Sequence, residues 1–428
     1  MHGFSYRNGS LHCEGVSLDT LAEKYGTPLY VYSAGTIRDH YRRLDAAMAG
    51  LDHEIAYAVK ANSNLSVLRL LAEEGAGFDI VSTGELFRAI KAGGDPNRCT
   101  FAGVGKTREE IARALEHGIY SFNAESEAEL RLIDETAGEL GLIAPAALRV
   151  NPNVDAKTHK YISTGKAENK FGIDFERIAG LYALAEKELP HIRLRGIQMH
   201  IGSQLTSIGP FIEAVERIAP LAAELRARHG IEFWSLGGGI GIVYDPALAS
   251  GTPDWWAARA EAERPLTIEQ YAGALVPRLE GLGLKILLEP GRYLVGNAGV
   301  LLTRCLYEKQ GSAKTFKVVD AGMNDLIRPA LYQGHHEIVP VREPGPERKV
   351  VDVVGPICET SDFFCQDREL PDFAPGETLA LMSAGAYGFT MASNYNSRPL
   401  PAEVLVDGGE SRLVRRRQTL EDLVAPEQ

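Results

Sequence analysis

The run HEIAYAVKAN, His53 to Asn62, is apolar and strand-like until it ends on a lysine. An ammonium at the tip of a buried strand is costly unless it is solvated, paired or used. Other short stretches also carry residues able to do chemistry. GFDIVS holds Asp79 and Ser82, LRVN holds Arg149 and Asn151, and MHIGSQ holds His200 and Ser203. SLGGG brings Gly237, Gly238 and Gly239, and LEPGR brings Glu289, Pro290, Gly291 and Arg292. Taken singly, each has an ordinary explanation: a lysine reaching water, a satisfied core histidine, a tight glycine turn, a local ion pair. As a set they suit a phosphorylated aldehyde. Bare backbone N–H groups cradle a phosphate. A desolvated lysine near other cations keeps a neutral amine for a Schiff base. A carboxylate facing a pyridine nitrogen keeps that ring protonated as an electron sink, and a flat imidazole such as that of His200 stacks on its face. Lys60 then ends its strand because it holds pyridoxal phosphate.

These residues need a scaffold that brings them to one rim. Between residues 53 and 291 a short β-branched or apolar run alternates with a longer helical stretch, eight times. The runs are EIAYAVK, GFDIVS, RCTFAG, GIYSFNA, PAALRVN, LRGIQMHIG, FWSLGGG and LKILLEPG. Leu65, Leu68, Leu71 and Ala72 share one helical face closed by Gly75, and Thr267 with Gln270 forms a capping-box pattern before Ile268, Tyr271, Leu275 and Leu279. The pattern predicts an α/β architecture, a parallel (β/α)8 TIM-type barrel, with an open doubly wound sheet as the alternative. In such a barrel, chemistry sits at the C-terminal ends of the strands, where the unusual residues fall, and phosphates bind after strands seven and eight. After Gly291, TFKVVDAG, RKVVDVVGP, ETLALMSAG and AEVLVDG are divided by Gly, Pro and acidic turns, which predicts a second, mostly antiparallel β domain. The opening FSYRNGSLHCEGVSL, with an Asn-Gly hairpin turn, resembles that domain. The expected domains are therefore a barrel over 33–291 and a β domain built from 1–32 and 292–428.

With 428 residues, 45% of them hydrophobic and 24% charged, the chain is long enough for two cores. A net charge of −12 argues against general affinity for nucleic acid or acidic membranes, and Arg415-Arg416-Arg417 reads as a solvated strand face. No secretory signal or membrane span is expected. The five cysteines, Cys13, Cys99, Cys305, Cys358 and Cys365, form no CxxC pair and fit free thiols in the cytoplasm, with no metal site. His335-His336 lacks partners at metal spacing and reads as surface.

The sequence resembles the fold-type III pyridoxal-phosphate decarboxylases, whose alanine-racemase-like barrel is joined to a β domain. The stretches that carry the resemblance run in order along nearly the whole chain: YAVKAN, GFDIVSTGEL, RVNPNVDAKTHKYISTGKAENKFGI, HIGSQ, LGGGIGI, LEPGRYLV, MNDLIRPALY, CETSDFF and GAYGFTMASNYNSRP. Thr83 stands where glycine is expected and Thr360 where serine is commoner, neither at a position with a chemical role. The resemblance implies that Lys60 is the Schiff-base lysine, that His200 stacks on pyridoxal 5′-phosphate and that Glu289 faces its ring nitrogen. Asp79, Arg149, Ser203, Gly237, Gly238, Gly239, Pro290, Gly291, Arg292 and Tyr387 would complete the cofactor site. It further implies a homodimer with shared active sites, the partner supplying Cys358 and Glu359, and a covering loop in DAKTHKYISTGKAENK.

The full motif set implies decarboxylation of meso-2,6-diaminopimelate to L-lysine, the last step of lysine biosynthesis, with Cys358 returning the proton. Arg292, Arg328, Tyr332, Glu359 and Tyr387 would bind the substrate's far end. The residue types agree, because that end carries a carboxylate for the arginines and an ammonium for the glutamate. A substrate without the far carboxylate would leave two buried arginines without return. The alternatives are a relative acting on ornithine, arginine or carboxynorspermidine, a non-catalytic cofactor-binding homologue, and a racemase.

Overall fold

The computed structural model describes residues 1–155 and 170–427. The expected covering loop falls largely on residues 156–169 and so lies outside the described residues. Residues 40–241 and 265–291 form one compact unit, and residues 1–39, 242–264 and 292–428 form another.

In the first unit all eight expected runs are strands: β1 His53–Ala58, β2 Gly77–Ile80, β3 Cys99–Phe101, β4 Ser121–Ala124, β5 Ala144–Asn151, β6 Ile192–Gln198, β7 Phe233–Ser235 and β8 Lys285–Leu288. Every neighbouring pair is parallel, and β8 returns to β1 with Leu288 opposite Ile55. The sheet is closed, a barrel rather than the open alternative. Burial along both faces explains the continuous apolar runs: every residue of β2, β3 and β4 is buried. The helix Leu65–Glu73 is capped by Asn64, whose side chain accepts from the Ser66 N–H, and it buries Val67, Leu68, Leu70 and Leu71. The capping box of Thr267 and Gln270 forms as expected, opening the helix Ile268–Leu279.

The other unit is built around the strand Leu29–Ser33. It pairs antiparallel with Gly299–Gln310 and parallel with Ala402–Asp407, so the two ends of the chain share one sheet. Most other pairings are antiparallel, with a further parallel one between Thr315–Val319 and Arg348–Val354. Phe4–Arg7 and Ser10–Cys13 form the predicted hairpin. Asn8 and Gly9 both take positive φ (52° and 79°), which a two-residue turn between twisted strands requires. This hairpin belongs to a three-stranded sheet of its own, tied on by the Leu11 N–H donating to Val341 O at 2.7 Å. Leu11, Leu29, Val31, Val300, Leu302 and Val404 pack in this unit's core. Arg415 pairs with the fully buried Glu403, Arg416 pairs with Asp422, and Arg417 Nη2 donates to Pro28 O at 2.6 Å, so this basic run is bonded to the fold rather than merely solvated. Among the described residues no helix is long and apolar enough to cross a membrane.

Candidate active site

The barrel unit carries one set of candidate residues. β1 stops at Ala58, whose N–H donates to Pro290 O, and Lys60 stands on the single 3-10 turn Val59–Ala61 just beyond it. Asn62 and Asn64 shape that turn. Tyr57 Oη donates to Asn62 O at 3.0 Å, and the Asn64 N–H donates to Asn62 Oδ1 at 3.0 Å. KANSN is therefore a strand-to-helix junction that lifts the lysine off the sheet. Lys60 Nζ donates to Asp79 Oδ2 at 2.7 Å, and Asp79, on β2, is buried. An anion is thus a close partner of the lysine, and the cation Arg149 acts together with Lys60 on the imidazole of His200.

Glu289 follows β8 directly and is buried. Ser235 Oγ on β7 donates to it at 2.6 Å, Gln198 Nε2 on β6 at 2.8 Å and Asn123 Nδ2 on β4 at 3.4 Å. Burial pushes its carboxyl up to about 7, the charge of Asp79 acts the same way, and the Ser235 bond, Lys60 and the Gln198 bond oppose. His200 accepts the Gly238 N–H at Nδ1, 3.2 Å away. Burial, then the charges of Arg149 and Lys60, hold the imidazole well below its ordinary range, so the ring is neutral. Arg149 lies at the end of β5, paired with Glu125 at 2.9 Å and stacked over Phe171. Ser203 is half-buried in the loop after His200.

The glycine triplet is crowded by backbone. A Cβ on Gly237 would meet Met199 O at 2.3 Å, one on Gly238 would meet Glu289 O at 2.2 Å, and one on Gly239 would meet Gly202 O at 2.6 Å. The Gly237 N–H donates to Ser235 Oγ and that of Gly238 to His200, which among the described residues leaves Gly239 as the triplet's N–H for an anion. Asp79 Oδ1, Asn123 Oδ1 and Gln198 Oε1 are buried with no hydrogen-bond partner among the described residues. Acceptors left so call for a donor-bearing ligand. An amine, a buried carboxyl, a neutral imidazole and a glycine loop without side chains, with the Gly239 N–H left for an anion, fit pyridoxal phosphate.

The other unit carries a second set. Arg292 opens the short helix Arg292–Val295; its Nη1 donates to Tyr244 Oη at 2.5 Å, and its guanidinium lies 4.9 Å from the Tyr387 ring centre. Arg328 opens the helix Arg328–Tyr332, is buried, and stands 5.1 Å from the Tyr244 ring and 6.0 Å from that of Tyr332. Among the described residues Arg328 pairs with no carboxylate, and its Nε–H donates instead to His336 Nε2 at 3.2 Å. Tyr244 responds to these cations. Burial raises its phenol, but Arg292 and Arg328 outweigh burial and hold it below its ordinary value. Cys358 and Glu359 are exposed; the Cys358 N–H donates to Asn396 Oδ1 at 2.9 Å, and Glu359 accepts from Tyr395 Oη.

Sequence reasoning misread His336 and missed Tyr244. The His335-His336 pair was expected at the surface, yet His336 is fully buried, its Nδ1 bonded to Met382 O at 2.8 Å. A histidine accepts an arginine N–H only while neutral, and burial pushes His336 down to about 3. The histidine lies eight residues beyond Arg328, an interval that carries no periodic pattern. No spacing points to Tyr244.

Residues 34–296 match the pyridoxal-binding domain of the pyridoxal-dependent decarboxylases. A diaminopimelate decarboxylase of Pseudomonas aeruginosa is 50% identical over 428 residues, covering 100% of this chain and 99% of that protein. Among solved structures, the diaminopimelate decarboxylase of M. jannaschii in complex with L-lysine is 39% identical with a TM-score of 0.90, covering 100% of this chain and 99% of that one. The Helicobacter pylori diaminopimelate decarboxylase, also complexed with L-lysine, is 42% identical with a TM-score of 0.87, covering 96% and 98%.

Proposed function

The chain belongs to the pyridoxal-dependent decarboxylases, and from that premise we propose that it removes carbon dioxide from meso-2,6-diaminopimelate and releases L-lysine, the last step of lysine biosynthesis. It is a carboxy-lyase whose cofactor is pyridoxal 5′-phosphate. When bound, the cofactor takes up the electron pair left by the departing carboxylate.

The chain's own residues have separate tasks. Lys60 anchors the cofactor through its amine, and Asp79, 2.7 Å away, holds that amine in place. Glu289, ionised, keeps a ring nitrogen protonated, while Ser235 and Gln198 fix its two oxygens. Neutral His200 offers a flat uncharged face. Gly239, Tyr387 and the turn from Glu289 to Arg292 grip the phosphate, with Arg149 and Ser203 completing the cofactor's surroundings. Arg292, Arg328, Tyr332 and Tyr387 receive the substrate's far carboxylate, and Glu359 takes its ammonium. Cys358 returns a proton to the carbon that lost the carboxylate. Cys358 and Glu359 serve the active site of a second copy, which makes the working form a homodimer in the cytoplasm.

The observation that carries the substrate assignment is the buried guanidinium of Arg328, without an acidic partner among the described residues. Such a charge is costly unless an anion arrives to meet it. The test is to incubate the protein with pyridoxal phosphate and meso-diaminopimelate and identify the product. L-lysine with carbon dioxide is expected, and Lys60→Ala should abolish both together with the cofactor's bound absorbance. Diamine formation from ornithine or arginine, with no lysine from diaminopimelate, would refute the assignment.

A further inference from the structure

We propose that His336 is a positioning residue: it aims the Arg328 guanidinium without neutralising it, and so sets the preference for ligands that end in a carboxylate. The inference rests on the far-carboxylate reading above and adds a residue to it.

Arg328 can be held by only a few kinds of acceptor. A carboxylate at Nε would fix the side chain but cancel its charge, leaving little attraction for an incoming anion. His336 fixes it with a neutral lone pair, Nε2, at 3.2 Å. The ring is itself held at its opposite side, where Nδ1–H donates to Met382 O at 2.8 Å, and the Met382 N–H is bound to Glu337 O at 2.8 Å. The His336 carbonyl accepts from Arg368 Nη1 at 2.7 Å, so backbone and ring are both tied. Tyr244 stands edge-on to the imidazole, ring centres 5.4 Å apart at 83°, and prevents it from swinging. With Nε–H spent on His336, the Nη donors, unengaged among the described residues, remain for a ligand, and two parallel Nη–H bonds are the geometry a carboxylate accepts. Arg292 gives its Nη1 to the phenol of Tyr244. Arg328 is thus oriented by a neutral group and, with no acidic partner among the described residues, keeps its positive charge for the ligand.

The experiment measures binding to the holoenzyme by calorimetry, with two ligands that differ at one end: L-lysine carries a carboxylate, and cadaverine replaces it with hydrogen. His336→Leu removes the acceptor and should weaken L-lysine by about 10-fold, the loss of one charge-assisted positioning bond. Cadaverine affinity should hold within about twofold, since no carboxylate meets the arginine. His336→Gln, whose amide can accept from Arg328 and donate to Met382 O, should restore most of the lysine affinity. His336→Glu supplies an acceptor that carries charge; it should hold the arginine yet weaken L-lysine and favour cadaverine, and it serves equally if the leucine variant does not fold. In steady state the leucine change should raise KM for diaminopimelate more than it lowers kcat. Equal weakening of both ligands, or unchanged L-lysine binding in both the leucine and glutamate variants, would overturn the role of His336. Wild-type protein that binds cadaverine as tightly as L-lysine would instead overturn the far-carboxylate reading, and the inference with it.

Discussion

At Glu289 a carboxyl is buried beside three donors and close to a second carboxylate, Asp79. Its proton is held up to about 7 in the fold against an ordinary value of 4.5. The folded protein therefore binds that proton more tightly than the unfolded chain does. Stability is unaffected below 4.5, is lost as pH rises through the window from 4.5 to about 7, and is level above it. Cofactor-free protein should accordingly show a melting temperature that falls across this window, and Glu289→Gln should flatten the fall. A wild-type slope no steeper than the variant's would contradict the account. A ligand with a protonated ring nitrogen would remove the penalty, which links the charge of Glu289 to the cofactor it is assigned to serve. At this scale the sequence was partly legible. Lys60 and Glu289 declared themselves because a charge at the end of an apolar strand has few explanations. His336 and Tyr244 did not, because their meaning lies in contacts to Arg328 and Arg292 across intervals of sequence that carry no periodic pattern.

Elements decide whether those residues meet. All eight barrel strands could be read directly, since a strand buried on both faces leaves a continuous apolar run, and caps such as Thr267 with Gln270 have a local chemical cause. The shape of the loops was less legible. The triplet Gly237–Gly239 was read as three N–H groups for a phosphate, but two of them are engaged within the barrel, and the glycines are needed as much for the close approach of neighbouring backbone. Gly238→Ala should show this. Its φ needs no glycine, yet the added methyl would stand 2.2 Å from Glu289 O, so the loop after β7 or the end of β8 must shift. The fold should be destabilised by about 2 kcal/mol, and cofactor content, read by absorbance, should fall with it. Gly105→Ala, where nothing lies within 4 Å, is the control and should melt as wild type. Equal behaviour of the two variants would remove crowding as the reason for the triplet.

Across the whole molecule, the residue assigned to return the proton is the one cysteine among five that is exposed; the other four are buried. Its loop is nevertheless well held. Asp362 Oδ2 accepts the Ile357 N–H at 2.6 Å, and Oδ1 accepts the Met323 N–H at 2.6 Å, so Cys358 is presented on an ordered support rather than a loose end. An acid that must transfer a proton to a carbon inside a water-poor site gains nothing from facing solvent on its own chain. The exposure makes sense if the thiol enters the site of a second copy, in a twofold arrangement where each chain gives and receives the same loop. Complementation tests this directly. Lys60→Ala and Cys358→Ala homodimers should each be nearly inactive. Mixing them in equal amounts under conditions of subunit exchange places half the chains in mixed dimers, each with one intact site and one doubly damaged site. Activity should return to roughly a quarter of wild type. No recovery on mixing, in a preparation shown by mass spectrometry to have exchanged subunits, would mean that Lys60 and Cys358 serve the same chain, and the shared-site dimer would have to be abandoned.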